Sequence, residues 1–150
     1  NKSNIIGDFA FYDCTSLTNV EFNKASVIGS RAFLGCANLI NVKIPNSVKK
    51  IDANAFYECQ KVINTVNGIK YVDKWVVGAD DTVANVTLAE DTRGIADYAL
   101  SECINMTSIT IPDFSAKSTA FMQLGGHFFT GQRQNAVFVF AAAEKQWSAP

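Results

Sequence analysis

The sequence predicts an α/β solenoid: short parallel strands stacked side by side, joined by short helical or 3₁₀ return arms, with one β-hairpin insertion and a C-terminal cap. Three observations carry the prediction. Cysteines fall at positions 14, 36, 59 and 103, spaced by 22, 23 and 44 residues, which is one, one and two periods of a repeat. The residues around each cysteine recur in register: Ile6, Ile28, Ile51 and Ile95 stand eight before it, and Ala10, Ala32, Ala55 and Ala99 four before it. Finally, the segments after Cys14, Cys36 and Cys103 alternate apolar and polar residues, the period of a half-buried strand.

The first repeat, about residues 5–27, carries Phe11 three before Cys14, then Leu17, Val20 and Phe22 as its strand. The second, 28–50, repeats this with Phe33, Leu39, Val42 and Ile44, and ends in Pro45. Within each arm the apolar residues stand at i, i+4, i+5 and i+8, which predicts one or two helical turns. No unit of this size buries its own apolar face, so the copies must stack. The third repeat, 51–72, has Phe56 and Val62 but places Thr65 and Asn67 where apolar residues belong; a one-residue shift to Ile63 and Val66 repairs it.

The double interval before Cys103 hides a copy, about 73–94. Val83, Val86 and Leu88 reproduce the strand spacing, but the arm is missing. In its place stand two β-rich runs, Ile69 to Val72 and Trp75 to Val77, joined by Asp73-Lys74, and a two-residue connection between such runs predicts a hairpin. The last regular repeat, 95–112, substitutes Leu100 and Met106 at the Phe and Leu positions and ends with Ile109, Ile111 and Pro112. Beyond it the pattern degrades, as a terminal cap must. Phe121, Phe128 and Phe129 supply apolar bulk, Val137 to Phe140 reads as a last strand, and Ala141 to Trp147 as a short helix, so 113–150 is predicted to close the core. Five or six strands at about 4.8 Å per rung give a sheet roughly 25 Å long.

The pattern I-G-x-x-A-F-x-x-C-x-x-L-x-x-V-x-I-P, best kept in IGDFAFYDCTSLTNVEF and IGSRAFLGCANLINVKIP, resembles the BspA-like leucine-rich repeat family of bacterial and some protozoan surface proteins. The resemblance covers about residues 5–112, and the FVFAAAEKQW ending is similar to the C-terminal closure of such proteins. It implies a leucine-rich-repeat solenoid, a secreted or cell-surface location, and a binding or adhesion role toward host or matrix proteins. Binding residues differ between members of the family, so the resemblance assigns none here.

Composition narrows the function classes. The chain has 150 residues, 13 Lys+Arg against 14 Asp+Glu and no basic block, which argues against nucleic acid. No run of 18 apolar residues offers a membrane span. The sequence begins mid-pattern with NKSN, as a processed product or part of a longer chain would.

Catalysis finds no support. The one histidine, His127, has no nucleophile placed beside it by any motif, and the repeat assigns every cysteine to one core position, where a reactive thiol does not belong. Zinc requires locally paired ligands, whereas these cysteines lie a full repeat apart. No catalytic residue, metal ligand or cofactor is therefore expected. Cys14–Cys36 or Cys36–Cys59 would fall within disulfide distance on adjacent rungs, but side chains in one column point the same way, so free core thiols are expected. Asp80-Asp81 and Glu90-Asp91 read as solvated turns, and Gly125-Gly126 as a turn. Asn85-Val86-Thr87 and Asn105-Met106-Thr107 match the glycosylation sequon, which matters only in a eukaryotic secretory source.

What remains is a surface. Alternate strand residues project into solvent: Asn19 and Glu21, Asn41 and Lys43, Asn64, Asn85 and Thr87, Ser108 and Thr110. In one continuous sheet these form two columns of small polar or charged groups, suited to a protein or glycan, or simply solvated. The hairpin adds Tyr71 and Trp75, either as interface anchors or as a cover for the core that the missing arm exposes. The expected function is a non-enzymatic recognition or adhesion module; the alternative is a structural or targeting domain of a larger cell-wall-associated or enzymatic protein.

Overall fold

A computed structural model describes residues 4–112, 123–124 and 137–140. Its strands are short, two to five residues each, because each rung then turns away. One column stacks β1 (Asn4–Ile6), β3 (Ala25–Ile28) and β5 (Lys50–Ile51) in parallel. On the next face β2 (Asn19–Glu21) pairs in parallel with β4 (Asn41–Lys43). The apolar repeat positions point between these faces. Ile28, Ala32, Phe33, Cys36, Leu39 and Ile51 are all buried, which accounts for their recurrence.

The arms are not helical; among the described residues there is no helix at all. Within the first two arms alternate N–H groups bond in opposite senses. Those of Ala10, Tyr12 and Cys14 reach back three residues, to Gly7, Phe9 and Phe11. Those of Phe9, Phe11 and Asp13 instead leave the arm for the carbonyls of Ser30, Ala32 and Leu34 on the next rung, at 3.0, 2.7 and 2.8 Å. Arg31, Phe33 and Gly35 then donate to Ala53, Ala55 and Tyr57. A helix is blocked by left-handed residues at fixed positions. Phe9, Arg31, Asn54 and Tyr98, five before each cysteine, have φ of 56°, 53°, 57° and 58°, and Gly35, just before Cys36, has φ 78°. Each such non-glycine residue costs about 1–2 kcal/mol, offset here by hydrogen bonds between arms. The i, i+4, i+8 spacing thus marks successive three-residue turns rather than helical turns.

The third rung is where the stack changes. β6 (Asn64–Val66) does not join β4; it turns through Asn67-Gly68 and pairs antiparallel with β7 (Ile69–Val72). Asn67 and Gly68 have φ of 51° and 80°, the two left-handed positions of a type I′ turn. β7 then pairs antiparallel with β8 (Trp75–Ala79) across Asp73-Lys74, the hairpin read from the sequence. β8 returns to the solenoid, parallel to β10 (Gly94–Ile95), which in turn pairs with β12 (Gln123–Leu124). The strand face resumes with β9 (Asn85–Thr87), β11 (Ser108–Ile111) and β13 (Val137–Phe140), all parallel.

The hairpin splices two cores. Val72 and Trp75 pack into the cluster of Phe33 and Phe56, while Ile69, Tyr71 and Val76 pack into a second cluster with Ile95, Leu100 and Ile109. Val137 to Phe140 forms a strand as expected. His127, Phe121, Phe128, Phe129, the helix expected over 141–147 and most of the expected cap lie outside the described residues.

Candidate functional site

The cysteine column comes first, because these thiols are the nucleophiles that the repeat sets in register. Cys36 and Cys59 are fully buried, Cys103 nearly so and Cys14 half-buried, and all four are free thiols. Cys36 Sγ donates to the Phe11 carbonyl at 3.0 Å, and Cys59 Sγ to the Phe33 carbonyl at 2.9 Å. Each thiol therefore ties its rung to the one before. Burial pushes the Cys36 and Cys103 thiols up and Cys59 to about 12, so the nucleophilic thiolate is suppressed. Among the described residues no group of three or more His, Cys, Asp or Glu could hold a metal ion, and no helix is long and apolar enough to cross a membrane.

The outward strand residues form two separate patches. In the first, Asn19 lies opposite Asn41 and Glu21 opposite Lys43, with all four exposed. Asn41 Nδ2 donates to Asn19 Oδ1 at 2.7 Å, and Asn19 Nδ2 to Thr18 Oγ1 at 2.8 Å, so the amides are held in one orientation. These residues line a groove of about 530 Å³ whose far wall includes Asp73 of the hairpin turn. Asp73 is fixed there because its carboxylate accepts the Ile44 N–H at 2.9 Å, at the end of β4.

The second patch comprises exposed Asn85 and Thr87 with half-buried Ser108 and Thr110. Asn85 Oδ1 accepts the hydroxyls of Thr107 and Ser108, at 2.9 and 2.7 Å. The one continuous sheet expected from the sequence is interrupted between the patches, because Asn64 sits on β6, opposite Tyr71 of the hairpin rather than beside Asn41. The strand columns are therefore split.

Tyr71 and Trp75 are buried in the core rather than displayed on the surface. They are 5% and 2% exposed, and the Tyr71 hydroxyl accepts the Ala89 N–H at 3.1 Å. Without an arm on this rung the core would face water, and burying the two rings there is more favourable than displaying them. The exposed part of the hairpin is Asp73-Lys74. Sequence reasoning passed over Asp73 as a groove residue and Asn67-Gly68 as a second turn; that dipeptide is itself a strong hairpin signal.

The model of the BspA type leucine rich repeat region matches residues 3–126 with six copies. The chain belongs to that family. No curated protein matches its sequence. Two solved structures are similar to it. One is the leucine rich repeat protein TpLRR of T. pallidum, at 22% identity and a TM-score of 0.45, covering 81% of this chain and 62% of that one. The other is a leucine rich cell surface protein of Faecalibacterium prausnitzii, at 21% identity and a TM-score of 0.39, covering 93% of this chain and 37% of that one. The chain thus spans less than two thirds of either neighbour.

Proposed function

We propose that this BspA-type repeat domain is a non-enzymatic recognition module, secreted or displayed on a cell surface, that binds a host or matrix protein or a glycan. The observation that carries the reading is the first strand patch. Asn19, Glu21, Asn41 and Lys43 are exposed, oriented by their own hydrogen bonds, and set against a groove closed by Asp73. A pre-oriented row of amides flanked by one anion and one cation presents donors and acceptors at little ordering cost on binding. The second patch, Asn85, Thr87, Ser108 and Thr110, offers a similar but less exposed surface. Family membership supports the location; the burial of Cys36, Cys59 and Cys103 supports a role without catalysis.

The test is binding to a panel of matrix proteins and glycans by surface plasmon resonance. An Asn41→Ala/Lys43→Glu variant, altered only on exposed side chains, should fold normally and bind its partner at least tenfold more weakly. Silence of the native domain across the whole panel overturns the reading.

A further inference from the structure

The missing arm of the fourth rung leaves an unpaired main-chain ladder on both sides of its place. In the first two arms every outward N–H finds a carbonyl on the next arm. By the same register the third arm should donate from Asn54, Phe56 and Glu58, yet among the described residues these N–H groups have no acceptor. The carbonyls that would accept on the arm of the last regular repeat are those of Asp97, Ala99 and Ser101, the counterparts of Ala53, Ala55 and Tyr57, and among the described residues they receive no main-chain donor.

Between these two edges lies a cleft of about 1150 Å³, floored by β8 at Val77, Gly78 and Ala79. Its closed end is pinned where the Asp97 N–H reaches the Ile51 carbonyl at 2.9 Å and Lys50 pairs with both Asp52 and Asp97. Neighbouring chains in such a stack lie about 4.8 Å apart, so one absent chain leaves about 10 Å, the width that a single polypeptide fills. The rim is acidic. Glu58, Asp80, Asp81 and Glu102 line it with one cation, Lys70, which is already tied to Asp80 at 3.0 Å. Exposed Tyr57 and Tyr98 stand on the two walls.

We infer that this cleft is a docking site for a linear, basic polypeptide segment of a partner protein, which completes the solenoid by taking the place of the fourth arm. Its carbonyls accept from Asn54, Phe56 and Glu58, its N–H groups donate to Asp97, Ala99 and Ser101, and its Lys or Arg side chains meet the carboxylate rim. A polypeptide is the ligand that supplies alternating main-chain donors and acceptors to both edges at once. The site is distinct from the strand patch, and either one binds without the other.

The probe is a pool of decapeptides with Lys fixed at alternate positions and the rest varied, selected on the native domain. The blocking variant is Gly78→Leu. A Cβ at Gly78 meets only ordinary contacts, at 3.5 Å from Lys70 and 3.9 Å from the Ala99 carbonyl, so the fold accepts a side chain that then occupies the cleft floor. Enriched peptides should bind at least tenfold more weakly to Gly78→Leu and to Glu58→Lys/Glu102→Lys, and no more weakly to Asn41→Ala/Lys43→Glu. Methylating alternate peptide nitrogens should abolish binding, and amide exchange at Asn54, Phe56 and Glu58 should slow at least tenfold in the complex. No enrichment over Gly78→Leu, full binding by the methylated peptide, or protection confined to the Asn19–Lys43 patch each overturns the inference.

Discussion

Replacing Phe33 with alanine tests the stacking logic most directly. The Phe33 ring is fully buried between Phe11 and Phe56, with centroids 5.0 and 5.2 Å away and planes within 5° and 4° of parallel. Phe22 meets it edge-on at 5.7 Å. A buried Phe→Ala change costs about 3–5 kcal/mol, and aromatic pairs contribute about 0.5–1.5 kcal/mol each beyond their area. With three ring partners and no exposed edge, Phe33→Ala belongs at the upper end, about 4–5 kcal/mol. Phe11, 37% exposed with Phe33 as its one stacking partner among the rings described, should cost about half as much. At a urea slope of about 2 kcal/mol per molar, the midpoint falls by about 2 M for Phe33→Ala and about 1 M for Phe11→Ala. Because rungs couple to their neighbours, amide exchange should rise first around Phe33 and Phe56, while Val76, Ile95 and Ile109 in the second core stay protected longer. A Phe33→Ala loss no larger than that of Phe11→Ala would refute the ladder.

The cysteines give two further expectations. Native labelling with a thiol reagent, read by mass spectrometry, should modify Cys14 first and Cys59 last; equal rates at both would contradict the buried column. Since Cys59 is raised in the folded state from 9.0 to about 12, its contribution is intact below pH 9 and is lost as pH rises toward about 12. Cys59→Ala should flatten the alkaline limb of a stability–pH curve relative to the native protein. Gly35→Ala places a Cβ 1.9 Å from Asp13 Oδ1 at φ 78°, and should cost about 1–3 kcal/mol in a urea melt; an unchanged midpoint would remove the need for glycine there. Gly68→Ala sets a Cβ 2.4 Å from Val83 Cγ2 in the Asn67-Gly68 turn, and should loosen β6 from β7 as faster amide exchange at Thr65 and Val66.

Much of this architecture was legible because repetition multiplies a weak signal. One cysteine is ambiguous; Cys14, Cys36, Cys59 and Cys103 with Ile, Ala and Phe or Leu in register define a core column, which the structure buries at Cys36, Cys59 and Cys103 and leaves partly exposed in the first copy, at Ala10, Phe11 and Cys14. The hairpin was readable at Asp73-Lys74 for the same reason, as an interruption of the register. The arms were misread because the sequence periodicity of apolar residues does not report φ. Ile28, Ala32, Phe33 and Cys36 would lie together on a helix, and they lie together on turns that pass through a left-handed Arg31. Tyr71 and Trp75 were open in the sequence because an aromatic residue serves equally as an anchor or a plug; what decides is whether neighbouring rungs cover it.

The sequence alone thus determined the period, the identity of the core column and the place where the register breaks, since each is a property of residue order. Tertiary structure decided the rest. It set which hydrogen bonds run within an arm and which run between arms, because that depends on backbone conformation and on the neighbouring rung. It also split the strand face, by diverting β6 to β7, and opened the cleft between the third arm and that of the last regular repeat. An unpaired main-chain edge is a relation between segments some forty residues apart, Asn54 to Glu58 on one side and Asp97 to Ser101 on the other, and no local pattern of side chains encodes it.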